Sequence, residues 1–164
     1  METVVKIRAF CERDLPEMAR IWNEVVQEGT AFPQTEPLDA STAGDFFAGQ
    51  SYCGVAETAA GELVGLYILH PNNVGRCGHI CNASYAVAST MRGHGVGALL
   101  VRDCMEQAHR IGFRILQFNA VVKTNLRARS LYEKLGFHLI GTVEGGFRMD
   151  DGQYADICLY YVNV

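Results

Sequence analysis

The sequence has neither an excess of basic residues nor a long apolar run. Its 14 lysines and arginines are outnumbered by 18 aspartates and glutamates, which gives a formal net charge of −4. The basic residues are scattered, whereas a nucleic-acid-binding surface typically shows a basic stripe. No stretch has the length and apolarity of a membrane helix, and the first residues contain no apolar signal core. We therefore expect no nucleic-acid partner and no membrane partner.

The six cysteines lie far apart, mostly within apolar stretches, and lack the dense spacing of a disulfide framework. Reduced thiols buried in a core account for such cysteines, and they predict a cytoplasmic location. Cys77, His79 and Cys81 alternate, with His70 nearby, and these four side-chain types are zinc ligands. Their spacing matches no common zinc pattern, so core thiols are the simpler explanation and we expect no metal.

Hydrophobic periodicity predicts one mixed sheet. The chain of 164 residues fits a domain of common size, with a core large enough to be stable without disulfides or metals. The predicted strands are at 4–9, 51–58, 62–69, 79–87, 115–120, 138–143 and 154–162. One helix is predicted to begin with Asp14 as its N-cap, and three more are predicted at 39–48, at 97–111 and at about 125–135. A loop is predicted at 29–37, and turns are predicted at Gly145-Gly146 and Asp150–Gly152. This order predicts an α/β protein with a central mixed β-sheet and helices on both faces.

The segment most informative about chemistry contains Gly93, Gly95 and Gly97. A predicted strand leads into a loop with these alternate glycines, and that loop opens an amphipathic helix. Glycines let the backbone approach a ligand closely, and several N–H groups then point at one anion. The helix N-terminus adds a partial positive charge, so the segment predicts a pyrophosphate site.

Several ligands fit such a loop. A GKS or GKT element is absent, which argues against a P-loop. The stretch Gly93–Ala98 does match the dinucleotide pattern G-x-G-x-x-A, but the next strand ends in Asn119-Ala120, without an acid for a ribose. A hairpin, and not an alternating strand–helix series, precedes the loop. A glycine-rich turn without any ligand is the remaining alternative.

Two motifs resemble those of the GCN5-related N-acetyltransferase (GNAT) family. Arg92-Gly93-His94-Gly95-Val96-Gly97 is similar to the R/Q-x-x-G-x-G/A signature, and Asn125–Phe137 is similar to the N-x-x-A-x-x-L-Y-x-x-x-G-F element. The order of elements resembles the family over nearly the whole chain. The resemblance implies a GNAT-type acyl-CoA N-acyltransferase fold, one N-acetyltransferase domain over residues 1–164 and acetyl-CoA as co-substrate. A homodimer is expected from family habit and from the prevalence of symmetric dimers.

The resemblance also implies cofactor contacts. The strand before the loop should part from its neighbour, and Tyr85, Ala86 and Val87 should give backbone hydrogen bonds to the pantetheine arm in the gap. Asn125 should contact the cofactor near its pantetheine end. Tyr132 should place its hydroxyl near the thioester sulfur, where a leaving thiolate benefits from a proton donor; core packing is its alternative role. The backbone amides expected to hold the pyrophosphate are those of Arg92, Gly93, His94, Gly95, Val96, Gly97 and Ala98.

The sequence leaves the general base open. Many family members have a glutamate on the central strand, but Ile80–Tyr85 contains no carboxylate. Glu28 and His79 are the candidates. The alternative role of Glu28 is a solvated charge at the end of a helix, and that of His79 is a hydrogen-bonded strand residue. The residues expected to hold a relay water are Asn82, Ser84 or Asn119.

The stretch Trp22–Phe32 resembles the acceptor loop of amino-acid and amino-acid-analogue N-acetyltransferases. The resemblance implies transfer of an acetyl group to a primary amine of a small molecule, by direct attack in a ternary complex. Acetylation of a protein N-terminus or lysine, and a CoA-binding regulatory module without catalysis, are the alternatives. The residues expected to line the acceptor pocket are Glu28, Thr30, Phe32, Asn82, Ser84 and Asn119. An alternative role for Phe32 is to anchor the loop to the core.

Overall fold

The computed structural model describes residues 4–164, in which a seven-stranded sheet separates two helical layers. The strand order is β1-β2-β3-β4-β5-β7-β6. Its elements are β1 (Val5–Ala9), α1 (Leu15–Glu28), α2 (Ala43–Ala48), β2 (Tyr52–Thr58), β3 (Leu63–Pro71), β4 (Ile80–Val87), α3 (Val96–Arg110), β5 (Ile115–Val122), α4 (Leu126–Lys134), β6 (His138–Arg148) and β7 (Tyr154–Asn163). The predicted order of elements and the predicted mixed sheet are confirmed. None of the helices within residues 4–164 has the length and apolarity needed to cross a membrane.

Each face of the sheet has its own apolar core. Helices α1 and α2 cover one face, where Met18, Trp22 and Phe47 are buried. Helix α3 covers the other face with its stripe of Val96, Leu100, Cys104 and Ala108, and α4 adds partly buried side chains there. The stripe repeats every four residues, so one side of α3 is apolar and packs on the strands. The prediction of helices on both faces is confirmed.

Tyr67 of β3 connects the sheet to α3. Its ring is fully buried, and its hydroxyl donates a hydrogen bond to Asp103 Oδ2 at 2.6 Å. Burial raises the pKa of Tyr67, so the phenol keeps its proton and remains a donor. The ring lies directly over Gly54, its partner in the β2–β3 pairing. A buried polar group with a charged partner thus fixes the distance between β3 and α3.

Asp14 is the N-cap residue of α1, as predicted, but its side chain makes no cap bond to that helix. It accepts hydrogen bonds from the Cys11 N–H at 2.8 Å and from Arg8 Nη1 at 2.7 Å, while Arg8 also pairs with Glu57. The Arg8 guanidinium lowers the pKa of Asp14 to about 2 and also lowers the pKa of Glu57. Arg8 therefore ties β1 and β2 to the start of α1.

The prediction that the chain reverses at Gly145-Gly146 is wrong. β6 continues to Arg148, and its pairing with β7 passes the two glycines as an irregularity between Val143 and Phe147. The chain reverses at 149–153, where the Met149 N–H donates to the Gln153 carbonyl at 2.8 Å. Gly145 has a φ of 63°, so the two glycines form a bulge inside the strand and the chain does not reverse there.

We predict that Gly54→Ala destabilises the protein by about 1–3 kcal/mol, the usual effect of overpacking a core. A Cβ at this position would lie 2.3 Å from the Tyr67 ring, which is itself held by Asp103. Gly44→Ala in α2 is the matched control, because its Cβ would have 3.9 Å to the nearest atom and alanine favours a helix. Denaturant unfolding of both variants measures the effect. Equal stability of the two would contradict this account of Tyr67.

Candidate active site

The strands β4 and β5 form a split in the middle of the sheet. They run parallel and pair only at Ile80 with Ile115 and at Cys81 with Leu116. Beyond these pairs the strands part, and a cleft of about 680 Å³ lies where the pairing ends. On its other edge β4 stays paired with β3 as far as Val87. One edge of a central strand therefore keeps backbone groups free for a ligand.

The pairing with β3 decides which residues of β4 face the cleft. The Ala88 N–H donates to the Val64 carbonyl at 2.9 Å. In an antiparallel ladder every second residue points to the same neighbour, so the backbone groups of Ala86 also point to β3. The backbone role predicted for Ala86 is therefore wrong, because its backbone groups face β3 and not the cleft. Tyr85 and Val87 point their backbone groups to the opposite side, into the cleft.

A glycine turn leads from the split to the N-terminus of α3. Gly93 and Gly95 have φ angles of 85° and 81°, a left-handed conformation that glycine adopts without a steric penalty. Gly95 is the N-cap of α3, and no side chain caps the helix. The first backbone donor engaged there is Leu99, whose N–H reaches the Gly95 carbonyl at 3.3 Å. The amides available to an anion are those of the first helical residues, Val96, Gly97 and Ala98.

His94 and Val96 contribute to this turn in different ways. The His94 N–H donates to the Met91 carbonyl at 3.4 Å, so its predicted use as a pyrophosphate donor conflicts with a bond that closes the turn. The Val96 side chain is buried in the core shared by the sheet and α3. This anchor fixes the helix start against the sheet, while the Val96 amide remains at the open end.

The Arg92 side chain forms a bridge, called the Arg92 bridge below, between the end of β4 and the end of α1. Its Nε donates to the Val87 carbonyl at 3.1 Å, and its Nη1 lies 2.7 Å from Glu28 Oε1. Its Nη2 is buried and has no hydrogen-bond partner within residues 4–164. The resemblance implied only a backbone role for Arg92, and nothing in the spacing of Glu28 and Arg92 along the chain indicates the contact.

The floor of the cleft is aromatic and includes Tyr132. The centre of the Tyr132 ring lies 4.5 Å from that of Phe118 and 6.4 Å from that of Tyr85. Burial raises the pKa of both tyrosines, so both phenols keep their protons at neutral pH. Tyr132 therefore packs on the core and also lines the cleft. The two roles considered for it from the sequence are compatible.

Asn125 stands where β5 passes into α4. Its Oδ1 accepts a hydrogen bond from the Ala128 N–H at 3.2 Å and so caps the helix. The side-chain Nδ2 takes no part in this cap, and Asn125 lines the cleft beside Tyr132. The asparagine thus orients α4 relative to the split.

The predicted acceptor residues line the same cleft. Phe32 is buried and its ring centre lies 4.3 Å from that of Trp22, so it also anchors the loop. Asn119 pairs with Asn72, whose Nδ2 donates to Asn119 Oδ1 at 3.3 Å. The role of Asn72 was missed because it lies in a turn-rich connection without a motif. The cleft brings together Glu28, Thr30, Phe32, Asn82, Ser84 and Asn119.

His79 and the alternating cysteines lie apart from the cleft. His79 is exposed just before β4, and its carbonyl accepts the Arg114 N–H at 2.9 Å. Cys77 lies in an exposed turn, whereas Cys81 is fully buried in β4, so they do not share a strand face. Within residues 4–164 no group of three His, Cys, Asp or Glu side chains is arranged to hold a metal ion.

A mixed sheet split ahead of an uncapped helix N-terminus defines the class of acyl-CoA-dependent N-acetyltransferases. A model of the "Acetyltransferase (GNAT) family" matches residues 16–137. The chain therefore belongs to the acetyltransferase (GNAT) family. The members of this family use acetyl-CoA, so the expected co-substrate is confirmed at the level of the family.

Individual relatives agree with this membership. A GCN5-related N-acetyltransferase from Kribbella flavida is 32% identical, with a TM-score of 0.89 over 98% of both chains. The N-acetyltransferase aca1 of Schizosaccharomyces pombe is 35% identical over 100 residues, which are 60% of this chain and 48% of that protein. The chain thus spans about half the length of aca1. An L-methionine sulfoximine/L-methionine sulfone acetyltransferase from Pseudomonas paraeruginosa is 29% identical over 135 residues, covering 78% of this chain and 77% of that one.

We predict that Gly95→Ala weakens the binding of CoA, because the substitution strains the turn that aims the α3 amides. Alanine in the left-handed conformation costs about 1–2 kcal/mol. Gly112→Ala is the matched control, since Gly112 follows the other end of α3, has a φ of 101° and likewise has open space around its Cα. Both variants should lose stability in thermal unfolding. Only Gly95→Ala should raise the Kd of CoA in calorimetry. An equal loss of CoA affinity in both variants would contradict the assignment of this turn to the pyrophosphate.

Proposed function

We propose that the protein transfers an acetyl group from acetyl-CoA to the primary amine of a small molecule, such as an amino acid or an amino-acid analogue. Transfer occurs by direct attack in a ternary complex, and residues 1–164 form one acetyltransferase domain. The observation that carries the proposal is the split between β4 and β5, which opens directly before the uncapped start of α3. The amino-acid analogue in the name of the Pseudomonas relative supports this acceptor class.

The residues of the cleft fit acetyl-CoA. The free edge of β4 at Tyr85 and Val87 offers an N–H and C=O pattern to an amide-bearing arm. The pyrophosphate fits the α3 amides of Val96, Gly97 and Ala98, next to Gly93 in the turn. Bound acetyl-CoA supplies an acetyl group activated as a thioester. The chain supplies the position of that group, the exclusion of water and the movement of protons.

Tyr132 is the proton donor in this proposal. Its hydroxyl keeps its proton at neutral pH because burial raises the pKa of Tyr132. It lies on the floor of the cleft beside Asn125, whose cap bond fixes the start of the same helix. In this proposal Tyr132 Oη gives its proton to the sulfur that leaves when the amine attacks. Asn125 places its amide near the pantetheine end.

Glu28 is the base or the ammonium site in this proposal. It is the carboxylate that lines the cleft at the end of α1, beside Thr30 and Phe32. Asn82, Ser84 and Asn119 have polar side chains without charge, which suit a relay water between the amine and a carboxylate. His79 lies outside the cleft and takes no part.

A cytoplasmic location and a homodimer complete the proposal. The six free cysteines support a reducing compartment, because four of them are buried as thiols. The outer strand β6 supports a dimer, since it exposes Leu139, Ile140 and Val143 at about half of their surface. Light scattering of the purified protein should give twice the mass of 18.1 kDa, whereas a single-chain mass would contradict the dimer.

The proposed function is tested by thiol release from acetyl-CoA across a panel of amines that includes amino acids, methionine sulfoximine and short peptides. We expect turnover with a small amine that carries a carboxylate. Turnover with peptides alone would favour a protein acetyltransferase. Binding of CoA without turnover on any amine would favour a regulatory module, and no binding of CoA in calorimetry would overturn the proposal.

We predict that Tyr132→Phe lowers kcat by roughly 100-fold, the lower end of the usual contribution of a general acid. The Kd of acetyl-CoA should stay nearly constant, since phenylalanine keeps the aromatic packing on Phe118. Tyr154→Phe is the control, because Tyr154 is exposed at the start of β7. An unchanged kcat in Tyr132→Phe would contradict the role of proton donor and would mean that Tyr132 serves only to pack the core.

A further inference from the structure

The Arg92 bridge uses a backbone group that the cofactor is expected to need. The Val87 carbonyl points into the cleft at the free edge of β4, and in this structure it accepts a hydrogen bond from Arg92 Nε at 3.1 Å. An amide-bearing arm along this edge competes with Arg92 for that carbonyl. The Arg92 guanidinium is a rigid plane, so moving Nε from Val87 also moves Nη1 from Glu28.

The other place available to the guanidinium is beside the pyrophosphate. Arg92 directly precedes the glycine turn, and it lines the cleft together with Gly93 and Gly97. Its Nη2 is buried without a hydrogen-bond partner within residues 4–164, so one of its donors is unsatisfied while the bridge is intact. A pyrophosphate carries more negative charge than the Glu28 carboxylate and accepts bidentate bonds from arginine. The guanidinium gains partners by turning toward such an anion.

The Arg92 bridge also compensates the charge of Glu28. One carboxylate oxygen of Glu28 lies 2.7 Å from Arg92 Nη1, so its charge is compensated. Thr30 and Phe32, which follow Glu28 in the acceptor loop, line the same cleft. A carboxylate that is already paired with a guanidinium is a poor partner for an ammonium group. Release of Arg92 leaves Glu28 free for the amine.

We propose that Arg92 is a positioning residue that couples the two halves of the cleft. Its side chain holds Glu28 in the free protein and releases it when a CoA pyrophosphate takes the guanidinium. The amine side thus becomes competent only after the cofactor side is filled. This inference rests on the proposed function, since it needs CoA in the cleft.

The affinity for CoA tests the coupling, with Glu28→Gln as the principal variant. Binding must break the Arg92–Glu28 contact in the wild type but not in Glu28→Gln, so the variant should bind CoA about two- to five-fold more tightly, the factor expected from a partly exposed ion pair. Glu28→Asp is the matched control for charge, because it keeps the negative charge and withdraws it by one methylene. It should tighten binding in the same direction.

The position of Arg92 is followed by the side-chain Nε–Hε signal in a nitrogen–proton NMR spectrum. Arg92→Lys identifies the signal by its loss, and thermal unfolding confirms that each variant is folded. Saturating CoA should move the signal in the wild type, and Glu28→Gln should perturb it without CoA.

Three results have distinct meanings in this experiment. A Kd for CoA in Glu28→Gln equal to that of the wild type, or a signal unmoved at saturation, would overturn the coupling and leave the proposed function intact. Tighter binding in Glu28→Gln with no gain in Glu28→Asp would reduce the effect to the loss of a nearby charge and would also overturn it. Absence of any CoA binding to the wild type would instead overturn the proposed function.

Discussion

The two edges of β4 differ, and the rest of the structure depends on this difference. One edge is hydrogen-bonded to β3 along the strand, while the other leaves β5 after Cys81. Free backbone groups in the middle of a sheet are costly unless water or a ligand satisfies them. The protein places them at a cleft of about 680 Å³, where a ligand can replace the missing strand. The split is therefore a structural cost that is offset when the cleft is filled.

Packing on both faces keeps the split at a defined width. Tyr67 and Asp103 fix β3 to α3 on one face, and on the other Trp22 joins α1 to Phe32 of the loop and to Phe47 of α2. Along the floor of the cleft the aromatic rings pack on one another, with 5.8 Å between the ring centres of Tyr85 on β4 and Phe118 on β5. Rings hold their positions with few rotatable bonds, so they suit a gap that must not collapse.

The sequence predicts those parts of the site that depend on short segments. The glycines before α3 and the Asn125–Phe137 element are local signals, because turn and cap geometry is set by a few adjacent residues. The phase of Ala86 depends on the register with β3, and the role of Asp14 depends on Arg8 of another strand. The Arg92–Glu28 pair likewise joins distant segments. Such contacts follow from the assembled fold, and no local pattern in the sequence indicates them.

The contact between Trp22 and Phe32 has one further consequence. Trp22 is the single tryptophan of the chain, it is almost fully buried, and its ring centre lies 4.3 Å from that of Phe32 in the loop over the cleft. The indole emission of the protein therefore comes from one place, next to the acceptor loop. A loop movement that separates the two rings changes the polarity around the indole, so the colour and intensity of its fluorescence report on the loop in real time and without a label.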